Sequence, residues 1–153
     1  MRIVSGKYRG RAINPPKNLR ARPTTDFAKE NLFNVLGNLV DFEECDVLDL
    51  FAGTGSISYE FASRGVHSVT SVEINPVHYN FIKKTAADLG IDNLFAVKAN
   101  VFLYLKSCAK AVRPDLFGRA LRSGGQRRGQ SGWYWNAIYS NRMGFSFSNI
   151  RKT

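Results

Sequence analysis

Cysteine and histidine are scarce in this 153-residue chain, two of each, and where they stand removes several classes of chemistry. Cys45 and Cys108 lie far apart and at no metal-ligand spacing, which argues against a metal site or a disulfide framework and for a reducing compartment. His67 and His78 have no acid or nucleophile at a motif spacing, so both read as structural or surface residues. No apolar run approaches the length of a membrane span, and Met1 to Lys7 lacks the apolar core of a secretory leader. The expectation is a soluble, cytoplasmic protein that engages neither membrane nor metal. At this length one hydrophobic core is available and a second is not.

Acidic residues are also in short supply, 12 against 22 Lys and Arg, for a net charge of +10. The imbalance is uneven: residues 1–30 carry +6, residues 31–111 carry −3, and residues 112–153 carry +7. An acidic middle between basic ends reads as a cofactor domain with a polyanion-binding arm. From Arg2 to Arg22, Gly6, Gly10, Pro15 and Pro16 interrupt short apolar pairs, which fits a small hairpin or an extended arm. Arg2, Lys7, Arg9, Arg11, Arg20 and Arg22 are then expected on a flexible, accessible element suited to phosphates.

A missing glycine narrows the cofactor. Val47-Leu48-Asp49-Leu50-Phe51-Ala52-Gly53-Thr54-Gly55 is an apolar strand that carries an acid and runs into Gly-x-Gly, a turn where the backbone can come close to a ligand. Gly53 and Gly55 read as contact positions. A dinucleotide fingerprint requires a third glycine three positions on, and that place holds Ser58. Asp49 suits S-adenosylmethionine instead, because a carboxylate at the strand end can sit by the ammonium of its methionine part. Glu73 closes the next apolar run, Ser68 to Glu73, and can accept both ribose hydroxyls. A nicotinamide-dependent oxidoreductase is disfavoured by Ser58 and lacks a candidate proton donor.

The element pattern is α/β. Thr24 or Thr25 can cap a first helix with Asp26 in its first turn and Ala28, Leu32, Val35, Leu36 and Leu39 as its packing face, with Gly37 a weak spot. Strand 46–51, a helix over about 55–64, strand 68–73, helix Pro76 to Leu89, strand 94–99 and helix 101–111 follow. Asn75 as cap, Pro76 at the first helical position and Gly90 past the end mark the longest helix. Alternating strands and helices predict a parallel sheet with right-handed crossovers. Tyr59, Phe61, Tyr79 and Phe81 are expected to pack helices on that sheet.

Three stretches together resemble one family. Met1-Arg2-Ile3-Val4-Ser5-Gly6-Lys7-Tyr8-Arg9-Gly10-Arg11, then Arg22-Pro23-Thr24-Thr25-Asp26, then Asp49-Leu50-Phe51-Ala52-Gly53-Thr54-Gly55 are similar, in order and spacing, to the RsmD family of bacterial 16S ribosomal RNA guanine-N2 methyltransferases. The resemblance covers about residues 1–111. It implies a Rossmann-like methyltransferase fold, here incomplete, with strands one to three, their helices and a basic N-terminal extension over residues 1–24. It implies that Asp49, Gly53, Gly55 and Glu73 hold S-adenosylmethionine, and that Arg9, Arg11, Arg22 and Thr24 engage the partner, 16S ribosomal RNA or the assembling small subunit. Asn100 stands where the family usually has an aspartate near the adenine amine, and its side-chain carbonyl can accept from that amine.

What residues 112–153 lack matters most. The family's chemistry rests on Asp or Asn, then Pro-Pro and an aromatic, at the end of the fourth strand, where it accepts from the guanine amine and stacks on the base. No such motif occurs after Ala111, and Asn14-Pro15-Pro16 is a decoy that precedes Lys17 and lies before the cofactor strand. No catalytic residue is therefore assigned. Residues 112–153 read as a basic, irregular tail outside the family pattern, with eight basic residues and one acid. The codons of Val112 to Arg122 can be chosen so that dropping one nucleotide yields a strand ending Asp-x-Pro-Tyr, which points to a frameshift in the gene or its sequence. The alternative is a non-catalytic basic RNA-binding protein, with Trp133, Tyr134 and Trp135 stacking on bases.

Overall fold

Asn75 and Gly90 bracket the longest helix as their chemistry requires. The Asn75 side chain accepts from the amides of Val77 and His78, Pro76 occupies the first turn, and Gly90 closes the end in the left-handed conformation. The structure, a computed structural model, describes residues 1–16, 19 and 24–111. Its elements run α1 (Asp26–Gly37), a short 3-10 turn (Phe42–Glu44), β1 (Asp46–Leu50), α2 (Ser56–Ser63), β2 (Ser68–Glu73), α3 (Pro76–Leu89), β3 (Leu94–Lys98) and α4 (Val101–Ala111). The three strands form one parallel sheet in the order β1-β2-β3. Residues 112–153, and with them every expectation about the tail, lie outside the described residues.

The pleat divides the sheet between two cores. Val47, Val69, Leu94 and Ala96 face a large cluster that includes Phe33, Tyr59, Phe61 and Ile82. Leu48, Leu50, Val72 and Val97 face the other side, where Val101, Tyr104 and Leu105 of α4 cover them. Asp49 and Ser71 are direct neighbours across β1 and β2 and fall on the first of these faces by alternation.

Three expectations change. The buried side of α1 is Lys29, Leu32, Phe33 and Leu36, while Val35 is 54% and Leu39 42% exposed. The helix stops at Gly37, so Leu39 lies beyond it, and a buried ion pair draws Lys29 inward in place of an apolar residue. The N-terminal segment takes the hairpin form of the two expected, but docked on the core instead of flexible. Arg2 bridges to Ala12 in an antiparallel hairpin, and Ile3, Tyr8 and Ile13 enter the main core. The basic side chains of Arg2, Lys7, Arg9 and Arg11 remain exposed on this docked element. Tyr79, expected to pack on the sheet, is half-buried with the Lys83 ammonium 5.6 Å from its ring, whereas Tyr59 and Phe61 are buried as expected.

Two glycine contacts show how tightly the hairpin is seated. Gly6 has φ +85°, and a Cβ there would lie 1.9 Å from the Ser63 carbonyl oxygen. The Lys7 amide donates to that carbonyl at 2.7 Å, the Tyr8 amide to Ser63 Oγ at 3.0 Å, and Tyr8 Oη to the Gly90 carbonyl at 2.9 Å.

Candidate cofactor site

The site is built where β1 and β2 end and the chain turns into α2 and α3. Asp49 is 7% exposed, and its Oδ2 accepts from Ser58 Oγ of α2 at 2.5 Å. Ser71 Oγ donates in turn to Ser58 Oγ at 2.6 Å, so the carboxylate terminates a buried hydroxyl chain. Burial pushes the Asp49 carboxyl up to about 6; the Ser58 hydrogen bonds oppose that rise and the neighbouring Glu73 charge adds to it. Among the described residues no Lys, Arg or His lies within 4.0 Å of Asp49 as an ion-pair partner. A buried carboxylate in that state is complementary to a cation.

Glu73 holds the loop in shape. Its Oε2 accepts from the Gly53 amide and its Oε1 from the Asn75 amide, both at 2.8 Å, so one carboxylate ties the glycine turn to the start of α3. Each oxygen keeps a lone pair, and a pair of hydroxyls is the natural complement. Phe51, at φ +60°, follows β1 in the left-handed region, a conformation that costs a bulky residue on the order of 1 kcal/mol. Such strain at a strand end is common where a loop meets a ligand.

The two glycines of the turn differ in role. A Cβ on Gly53 would meet only the Phe51 carbonyl oxygen at 3.9 Å, which leaves that backbone open to approach. A Cβ on Gly55 would lie 2.9 Å from Tyr59 Cζ and 3.1 Å from Ile82 Cγ1. Gly55 is thus required by internal packing and by its φ of +78° as the residue before α2. Asn100 caps α4, its Oδ1 accepting from Phe102 and Leu103 amides at 3.0 and 3.3 Å. The preceding Ala99 amide donates to the Glu73 carbonyl at 3.2 Å, which sets the third strand end beside the second.

Of the residues expected to meet RNA, Arg9 and Arg11 are exposed on the hairpin and Thr24 is half-buried before α1, which Thr25 caps. Arg22 lies outside the described residues. The hairpin reaches the glycine turn directly: Thr54 Oγ1 lies 3.8 Å from Met1 Sδ.

Two features escape the sequence. His78, five residues after Glu73, is nearly buried with Nδ1 4.0 Å from Glu73 Oε2, because the Asn75-Pro76 start of α3 turns its first helical turn back toward the strand end. Glu60 is fully buried and accepts from the Val4 amide at 2.7 Å, from Lys29 Nζ at 3.0 Å and from Arg64. Lys29 also donates to the Arg2 carbonyl, so the ion pair joins α1, α2 and the hairpin. A groove of about 580 Å³ lined by Gly37 to Glu43 and Arg64 precedes β1, away from the acids at the strand ends.

The family model described as Conserved hypothetical protein 95 matches residues 1–116. Ribosomal RNA small subunit methyltransferase D of Buchnera aphidicola (subsp. Baizongia pistaciae) is 34% identical over 111 residues, 72% of this chain and 56% of that protein. The protein of the same name from Escherichia coli K12 is 34% identical over 105 residues, 69% of this chain and 52% of that one. The chain belongs to the RsmD family. It spans about half the length of the curated relatives it matches. A solved hypothetical protein of Thermus thermophilus superposes with a TM-score of 0.64 at 28% identity, covering 81% of this chain and 78% of that one. The three-stranded sheet with its helices is accordingly an incomplete Rossmann-like methyltransferase fold. In this RsmD member, the strand-end acids Asp49 and Glu73 and the glycine turn between them lie inside the matched region.

Proposed function

We propose that this chain is the donor-binding part of an S-adenosylmethionine-dependent methyltransferase acting on the exocyclic N2 of a guanine in 16S ribosomal RNA, in the cytoplasm, free or within the assembling small subunit. The observation that carries the reading is the buried Asp49 carboxylate, without a cationic partner among the described residues, on the strand next to a Glu73 clamped by Gly53 and Asn75. The donor set fits the cofactor: a carboxylate for its ammonium, a second carboxylate for its ribose hydroxyls, and at Gly53 a backbone with open space before it. When bound, S-adenosylmethionine supplies an electrophilic methyl group on a sulfonium.

Within that reading, Asp49 receives the ammonium while Ser58 fixes its orientation, Glu73 takes the ribose hydroxyls, and the Asn100 carbonyl meets the adenine amine by giving up one of its two capping bonds to Phe102 and Leu103. Arg9, Arg11, Arg22 and Thr24 engage the RNA. The acceptor side has no counterpart: no Asp/Asn-Pro-Pro-aromatic motif follows Ala111. On this reading the 153-residue chain binds the donor weakly or not at all and does not methylate.

The test is transfer of labelled methyl from S-adenosylmethionine to 16S ribosomal RNA by the purified chain beside an Asp49→Ala control. Counts equal to the control are expected, and counts clearly above it overturn the inactivity. The nucleotide sequence across the codons of Lys110 to Arg122 tests its cause. A shifted frame reading Asp-x-Pro-Tyr makes residues 112–153 a frameshift product, and no such frame makes them a genuine tail. The charge of +7 on residues 112–153 favours a second reading, a non-catalytic RNA-binding protein. Salt-sensitive RNA binding that survives Asp49→Ala and Glu73→Ala, with no donor binding, selects it.

A further inference from the structure

Phe27 is 73% exposed in the first turn of α1, more than any other large hydrophobic side chain among the described residues. The helix buries Lys29, Leu32, Phe33 and Leu36 instead, so core packing does not account for an aromatic at this position. The hairpin beside it is basic, while Asp26 and the exposed Glu30 flank it on the helix. Residues 1–25 contain no Asp or Glu. Arg2 Nε binds Asp26 Oδ2 at 2.7 Å, which seats the hairpin directly beside Phe27 while using one of the five N–H donors of that guanidinium. The Arg2–Ala12 bridge, with the Ile3 amide donating to the Arg11 carbonyl at 3.1 Å, sets exposed Arg11 one residue from the position opposite Arg2 on the same hairpin. Met1, next along the hairpin, touches Thr54 of the cofactor loop, so this corner adjoins the candidate site.

We propose that Phe27 is a stacking platform for one unpaired RNA base, with Arg2 and Arg11 contacting the phosphates that flank it. The inference rests on the RNA-binding reading above and adds a residue to it. An aromatic face set among arginines binds single-stranded nucleic acid in two separable ways: stacking is insensitive to salt, and phosphate contacts are not. The surface continues along α1 through Asn31 and Val35, which would suit a protein partner, but among the described residues the contact with the basic hairpin is at the Phe27 end, where Arg2 binds Asp26.

The experiment measures anisotropy of a labelled single-stranded ribo-oligonucleotide from the 16S sequence with the full chain across a salt series. Phe27→Ala should weaken binding roughly tenfold with the salt slope unchanged. Arg11→Ala should reduce that slope by about one. Phe27→Trp should restore binding. Equal thermal melts of wild type and Phe27→Ala, expected for so exposed a side chain, exclude unfolding as the cause. Wild-type affinity in Phe27→Ala, or a slope reduced as in Arg11→Ala, overturns the stacking role alone. Loss of self-association in Phe27→Ala with RNA affinity intact overturns it in favour of a protein contact. Absence of salt-sensitive RNA binding by the wild-type chain removes the RNA reading and this inference together.

Discussion

The Ser58 hydroxyl donates to Asp49 Oδ2 at 2.5 Å and itself accepts from Ser71 Oγ at 2.6 Å, which makes the position where a dinucleotide fingerprint would have glycine the support of the Asp49 carboxylate. Glycine there would leave Asp49 buried with no hydroxyl to hold it. The same residue thus argues against a dinucleotide by its identity and holds Asp49 in place by its bond. Ser58 and Ser71 are fully buried, so loss of either link leaves a desolvated polar group unpaired.

Asp49→Asn should make the protein more stable at neutral pH. The Asp49 carboxyl titrates at about 6 in the folded chain, above its ordinary value of 3.8, chiefly because burial disfavours the charge. A raised pKa of this kind contributes stability that is full below 3.8 and is lost as pH rises through 6. An uncharged amide, still able to accept from Ser58, escapes that loss, by up to about 3 kcal/mol at pH 7–8. Thermal melts of both proteins from pH 3.5 to 8 check it: the advantage should vanish at the acid end, and an equal gap at all pH values would contradict the assignment.

Donor binding should weaken as pH falls through about 6, because protonated Asp49 no longer opposes an ammonium. Ser58→Ala removes a hydrogen bond that favours the charged form, so the acid limb should move to higher pH and affinity at pH 7 should fall several-fold. Equilibrium dialysis with labelled S-adenosylmethionine, suited to weak binding, measures both. An acid limb that Ser58→Ala leaves in place would mean another group controls it.

The sheet is legible in the sequence because each boundary has a local chemical cause. Asn75 and Pro76 start α3 and Gly90 ends it, and β2 spans Ser68–Glu73 in sequence and structure alike. The acids at the strand ends are legible for the same reason. The face of α1 is not, because apolar spacing admits Val35 and Leu39 while the actual inward residue is Lys29, neutralised by a partner 31 positions away. Pairings of that kind leave no periodic trace. His78 is hidden similarly, since its proximity to Glu73 depends on the turn between strand and helix, not on a motif spacing.

Gly6 and Gly10 share a positive φ but not an environment, and alanine should separate the two effects. At Gly10 a Cβ meets nothing within 4 Å, so Gly10→Ala should cost about 1 kcal/mol from the backbone conformation alone. At Gly6 the added atom would lie 1.9 Å from the Ser63 carbonyl oxygen and 2.7 Å from its hydroxyl, neither of which can retreat without breaking bonds to Lys7 and Tyr8. Gly6→Ala should therefore cost roughly 3 kcal/mol or more and release the hairpin. Chemical denaturation gives the energies, and proteolysis within residues 1–13 should accelerate in the Gly6 variant only.

Glu60 is the point where the hairpin is fastened electrostatically, and its substitutions should rank by what they leave unpaired. Glu60→Ala strands Lys29, 1% exposed, with Asp26 at 3.3 Å as its remaining ion-pair partner, and removes the acceptor for the Val4 amide. The expected cost is roughly 3–5 kcal/mol, the usual penalty for breaking a buried pair from one side. Glu60→Gln keeps an acceptor for Val4 but not the charge, so it should fall between wild type and alanine. Lys29→Met should be milder than Glu60→Ala, because Arg64 still neutralises Glu60 and the methionine side chain fills the space of the lysine stem. The Arg64 guanidinium, 4.1 Å above the Phe33 ring, is held by packing as well as by charge and should stay in place. Urea melts of the three variants decide the order, and a Lys29→Met variant less stable than Glu60→Ala would show that the lysine contacts to Arg2 and Asp26, not the Glu60 pair, hold the hairpin down.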